Sequence, residues 1–176
     1  LFILPACGDW NDLFKTQNDP VTFMTPFALS NGCEGTVHEG QLGSSTLIPS
    51  SDMGRVYAVN RDAGTISIMD RHSGSIQEIH VGLEPTRITR SRDHVYVSLR
   101  GERKVLALKE TGDSLEIMDV IQTGSEPFGV LSSPGGEKIY ATISMENKVV
   151  EINTNTHEIT ASWSVPNEPR WMAIHP

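Results

Sequence analysis

The feature that most constrains this chain is an interval. Glu84-Pro85, Glu126-Pro127 and Glu168-Pro169 recur 42 residues apart. Between them, short segments repeat in one order. RVYAVN (55–60), GTISIMD (64–70) and SIQEIHVG (75–82) are answered by HVYVSLR (94–100), KVLALKE (104–110) and LEIMDVIQTG (115–124). KIYATIS (138–144), KVVEINT (148–154) and EITASWSV (158–165) follow. Each run is rich in β-branched and apolar residues and has the length of a strand. Tyr57, Tyr96 and Tyr140 share one repeat position, and Asp70, Lys109 and Asn153 share another, 13 residues later. DAG (62–64) and HSG (72–74) read as hairpin turns, because glycine accepts positive φ. In every copy a proline opens the next segment, where its missing N–H breaks no ladder bond. STLIPSSDMGRVY (45–57) parallels FGVLSSPGGEKIY (128–140), so the first copy has its leading strand too.

Four short strands per period of about 42 residues predict an all-β chain of propeller blades. One four-stranded antiparallel sheet cannot bury both of its faces, and radial stacking covers them. A β-sandwich also uses short strands, but it gives no reason for three Glu-Pro pairs at one interval. The blades are expected at about 43–83, 84–125 and 126–167, with 168–176 as the first strand of a fourth. Three blades and a strand do not close a ring, and seven blades at this period need roughly 300 residues. With Leu1 at one end and a repeat cut at Pro176, we expect a part of a longer reading frame. Such a partial propeller would expose a blade face and an edge.

The first repeat resembles the YVTN family, with Tyr57-Ala58-Val59-Asn60 on its tetrad. The other copies, Tyr96-Val97-Ser98-Leu99 and Tyr140-Ala141-Thr142-Ile143, keep only the tyrosine and the strand. Val81-Gly82-Leu83-Glu84-Pro85 matches the family's Val-Gly-x-x-Pro stretch. Thr123-Gly124-Ser125-Glu126-Pro127 keeps the glycine and proline, and Val165-Pro166-Asn167-Glu168-Pro169 loses the glycine. The resemblance covers residues 43–176 and implies a fold, not a reaction. Sugar lactonases and the non-catalytic subunits of quinone-dependent dehydrogenases look like this fold.

The N-terminus reads differently. Leu4-Pro5-Ala6-Cys7 resembles a bacterial lipobox, closing a signal over residues 1–7. That resemblance implies acylation of Cys7, an extracytoplasmic address on the periplasmic or outer-membrane side, and the lipid bilayer as partner. The alternative is a buried N-terminal strand with a core cysteine. Residues 8–42 hold no lasting period and read as a tether. Cys33 is the only other cysteine. It is a free thiol or pairs outside this stretch if Cys7 is acylated, and a Cys7–Cys33 bridge is possible if it is not.

With 22 acidic against 14 basic residues and a net charge of −8, no basic stripe is present for nucleic acid. No CxxC, CxxCH, HExxH, GxSxG or P-loop occurs. No catalytic residue, metal ligand or cofactor is identifiable. The candidate ligand residues are those at one channel mouth, where innermost strands begin: Arg87, Arg90, Phe128, Arg170 and Trp171. Arginine suits a carboxylate or phosphate, and tryptophan suits a ring or sugar. Structurally, the same residues would pack the mouth and pair with the crossover glutamates. Glu84, Glu126 and Glu168 would form a ring of carboxylates there, or serve as solvated loop residues. The expected function is a cell-envelope binding or scaffold module for a small anion, peptide or envelope polymer. The alternatives are a lactonase-type enzyme and a propeller subunit coupled to a haem or quinone domain elsewhere.

Overall fold

The structure is a computed structural model and describes residues 43–174. The expectations for Cys7, Cys33 and the 8–42 tether lie outside the described residues.

Among the described residues twelve strands form three four-stranded antiparallel sheets, each a meander in chain order. The first holds β1 (Leu47–Pro49), β2 (Arg55–Asn60), β3 (Thr65–Asp70) and β4 (Ile76–His80). The second holds β5 (Pro85–Ser91), β6 (His94–Leu99), β7 (Lys104–Thr111) and β8 (Ser114–Gln122). The third holds β9 (Pro127–Ser132), β10 (Lys138–Ile143), β11 (Lys148–Asn153) and β12 (Ile159–Ser164). The register places Tyr57 opposite Ile68, Tyr96 opposite Ala107 and Tyr140 opposite Glu151.

Alternation along each strand sends one side chain set to each neighbouring sheet. Ile48, Tyr57, Ile66 and Ile68 of the first sheet pack with Ile88, Val95, Val97, Leu99, Leu106 and Leu108 of the second. The second sheet's other face offers Tyr96, Val105, Ala107 and Ile121. These meet Val130, Ile139, Ala141, Ile143, Val150 and Ile152 of the third. β5 and β9 are buried over nearly their whole length, whereas β4 and β12 are largely exposed. That gradient marks β5 and β9 as inner strands, and they pack against each other.

The turns use side chains where the backbone would otherwise lack partners. Asp70 Oδ1 accepts from the N–H groups of His72 and Ser73, and Asn153 Oδ1 accepts from those of Asn155 and Thr156. Lys109 holds the same repeat position and cannot accept. There the strands of the β7–β8 hairpin run longer and the turn shrinks to Gly112-Asp113.

Residues 169–174 occupy the place expected for a fourth inner strand. They form an isolated bridge, Ala173 to Gly43, rather than a strand. Among the described residues no second strand of their own sheet lies beside them to complete a ladder. Ser44 N–H donates to Met172 O (3.0 Å), and Ser45 bridges Ile88 of β5. On the third sheet's outer face a cavity of about 460 Å³ is lined by Leu131, Tyr140, Val149, Trp163 and residues 171–174.

Candidate functional site

Each crossover into a new sheet is built around its glutamate. Glu84, Glu126 and Glu168 have φ of 51°, 56° and 46°. The left-handed region is uncommon for a glutamate, so something must hold it there. The carbonyls of Glu84 and Glu126 accept from Arg100 N–H and Ser144 N–H, both at 3.0 Å. The residues before them are held as well. Glu102 accepts from Leu83 N–H (2.7 Å) and Glu146 from Ser125 N–H (2.6 Å). Lysine partners, Lys104 and Lys148, together with these amide N–H groups pull both carboxyls below the usual range. Gly82 and Gly124 make room for the same carboxylates. A Cβ at either would lie 2.4 or 2.5 Å from a carboxylate oxygen, and both have φ of 120° or more.

The three crossover carboxylates do not stand as a free ring. Glu84 pairs with Arg61 (2.9 Å) and Arg100 (3.7 Å), Glu126 with Arg100 (2.9 Å), and Glu168 with Arg170 (3.1 Å). Arg100 thus joins its own sheet's crossover to the next. Sequence reasoning missed Arg61 and Arg100. A signal was present: each stands four residues after its repeat tyrosine, where the third copy has Ser144. Ser144 Oγ donates to Pro169 O instead (2.7 Å).

Beside these pairs, four of the five mouth residues come together. The Arg87 guanidinium carbon lies 4.0 Å from the Trp171 ring centroid and 5.0 Å from that of Phe128. The two rings are 6.3 Å apart and tilted by 57°, so they form a corner around Arg87. The Arg170 guanidinium carbon lies 5.7 Å from the Phe128 centroid. Backbone packing supports the corner. Thr86 and Ser98 hydroxyls donate to Phe128 O (2.9 and 2.6 Å), tying β5 and β6 to β9. Gly129 admits the passing chain, because a Cβ there would lie 2.7 Å from Arg170 O. Arg90 stays apart. It faces Val95 in the ladder, three residues further along β5, and joins none of these contacts.

Two charged side chains are buried among the described residues, Glu151 and Arg87. Glu151 is paired with Lys138 (3.0 Å) and accepts from Thr160 Oγ1 (2.8 Å), which lowers its carboxyl pKa. Among the described residues Arg87 has no carboxylate partner. Its Nη1 donates to Thr86 O (2.6 Å), its buried Nε donates to nothing, and burial lowers its pKa. A buried cation without an anion is costly, and the aromatic corner offsets only part of that cost.

A second polar cluster joins the second and third sheets. His157, at φ 57°, closes the β11–β12 turn. Its Nδ1 lies 2.9 Å from Asp119 Oδ2 and its Nε2 lies 3.3 Å from the Tyr96 hydroxyl. Burial pushes the Tyr96 phenol up to about 12, and Asp93 adds to this. The chemistry resembles a proton relay, but Tyr96 is fully buried, so the cluster closes a seam. Among the described residues no group of three His, Cys, Asp or Glu could hold a metal ion, and no helix is long and apolar enough to cross a membrane.

No family model matches the chain. No curated protein matches it either. Solved structures do. A putative 6-phosphogluconolactonase from Bacteroides fragilis NCTC 9343 is similar with a TM-score of 0.60 and 21% identity, over 75% of this chain and 42% of that one. A streptogramin B lyase gives 0.53 and 21%, over 72% and 42%. The Cps50 (Swd1) β-propeller domain of Myceliophteria thermophila gives 0.54 and 12%, over 70% and 42%. The fold is a partial β-propeller. The three sheets are its blades, and the chain spans less than half the length of each of these propellers. At such identities the likeness carries architecture alone.

Proposed function

We propose that this partial propeller belongs to a cell-envelope binding module, anchored through acylated Cys7, whose channel mouth holds an anionic ligand. The observation that carries the reading is Arg87: buried, set in an aromatic corner, and without an acidic partner among the described residues. Every crossover glutamate is engaged by another arginine, so among the described residues these carboxylates do not neutralise it. A cation kept dry and unpaired is poised for an anion from solution. Arg170 lies on the Phe128 ring and is paired with Glu168, so it borders the site without a free charge.

The pair Arg87→Ala and Arg170→Ala tests the mouth. Together they should abolish retention of the full chain on an anion-bearing envelope fraction, measured by co-sedimentation. Unchanged retention would assign both residues to packing. Mass spectrometry of the mature N-terminus tests the anchor, since an unmodified chain extending before Cys7 would reject it. A second reading is a lactonase-type enzyme. It draws support from the solved propellers described as putative 6-phosphogluconolactonases, and from two arginines on the same Phe128 ring. Lactone hydrolysis sensitive to Arg87→Ala would favour it over simple binding.

A further inference from the structure

The free donors of Arg87 say more than that the ligand is an anion. A guanidinium has five N–H groups in one plane. Nη1 is engaged by Thr86 O, while Nε is buried and unpaired. The Nε and Nη2 hydrogens lie side by side along one edge, a spacing that two oxygens of one acid group match. The rings of Trp171 and Phe128 present their faces to the guanidinium carbon at 4.0 and 5.0 Å. Aromatic faces are electronegative. They tolerate an acid whose two oxygens lie in the guanidinium plane, and they repel oxygens that stand out of it. A carboxylate meets that condition, and a phosphate, with further oxygens above and below the plane, does not.

Access depends on Trp171. Its side chain stacks on Arg87, yet the residue is 69% exposed. It sits on residues 169–174, which have no ladder of their own among the described residues and are joined to their neighbours by the bridge from Ala173 to Gly43, by Met172 N–H and O to Ser44, and by Ser144 Oγ on Pro169 O. It is therefore the wall of the corner with the least holding it in place. We infer that the Nε–Nη2 edge of Arg87 is a carboxylate-binding subsite, with Trp171 as a side wall that shifts when the carboxylate enters. This rests on the reading of the mouth as a ligand site.

The test uses the full chain, butyrate as the carboxylate probe and inorganic phosphate as the comparison, at matched ionic strength. Binding is followed by calorimetry and by the indole N–H resonance of Trp171, assigned through Trp171→Phe. Butyrate should bind saturably and move that resonance. Arg87→Lys keeps the charge but loses the fork, and should weaken butyrate by about tenfold or more. Trp171→Phe serves only to assign the resonance, and an unchanged urea unfolding midpoint in Arg87→Lys separates lost binding from lost folding. Butyrate binding unaffected by Arg87→Lys would overturn the assignment. Phosphate binding through Arg87 as tight as butyrate, or tighter, would overturn the carboxylate subsite while leaving the anionic mouth intact. Failure of both anions to bind would overturn the subsite and the mouth reading together.

Discussion

The two seams of the molecule share an apolar plan and differ in how they are closed. Between the first and second blades, isoleucines and Tyr57 meet a leucine-rich face that includes Leu99, Leu106 and Leu108. Between the second and third, the facing side chains are smaller, with Ala107 and Ala141 both buried. At the outer end of the first seam, the β7–β8 hairpin of the second blade reaches back to the first. Asp113 receives Arg55 through its carboxylate and Gln77 through its carbonyl, and Glu110 accepts from Ser51 N–H (3.1 Å). At the second seam the corresponding turn brings His157 to Tyr96 and Asp119. One turn offers carboxylates to an arginine and a backbone N–H. The other offers an imidazole to a carboxylate and a phenol. Apolar faces give adhesion, and the polar closures give each seam its own partner, the usual division between hydrophobic area and charge complementarity.

The largest expected effect tests the shared plan. Leu106→Ala, at the centre of the first seam, should cost about 2–5 kcal/mol in urea unfolding, as core leucine truncations do. A cost below about 1 kcal/mol would mean that the first seam is not a packed core. The next test attacks the difference. Ala107 in the second blade stands where the first has Ile68, so Ala107→Ile should overpack the second seam by about 1–3 kcal/mol. If it stabilises instead, the seams are interchangeable and the size contrast is incidental.

The crossovers feeding the two seams should respond alike. Gly82→Ala and Gly124→Ala each place a Cβ against a glutamate carboxylate, at positive φ. Each should cost about 1–3 kcal/mol by the same denaturation assay, and a loss at only one would break their equivalence. The smallest effect is a pH dependence specific to the second seam. The Asp119 carboxyl is lowered first by Val120 N–H and then by His157. A carboxyl lowered on folding contributes stability above its unfolded pKa, and loses it as pH falls through the lower folded value. Acid titration below about pH 4 should therefore loosen this seam, and Asp119→Asn should flatten that part of the profile. An unchanged acid limb in Asp119→Asn would remove the carboxylate from the closure.

Much of the fold was legible because a blade's information is local. Alternation, hairpin glycines and strand-opening prolines all act within a few residues, and the 42-residue repeat reports them three times. The fourth inner strand was legible as a pattern, but 169–174 has no ladder of its own among the described residues and forms a bridge. The clustering of the candidate residues was legible in part. Arg87, Phe128, Arg170 and Trp171 begin successive inner segments, and stacking brings them together. Arg90 was grouped with them by sequence nearness alone, yet on an extended strand three residues carry a side chain about 10 Å along. The His157 closure was not legible, because the β7–β8 turn is shorter than the β11–β12 turn and the two do not align in the repeat.

By itself, the order of residues determined the sheets, their number and their turns, since each depends on neighbours a few positions away. Only the stacked structure decided which charges met. Arg100 found Glu126, Tyr96 found His157, and Arg87 found aromatic rings but no acid, across separations of 26 residues or more. Coulombic pairing depends on distance in space, and the repeat sets that distance only after the blades have packed.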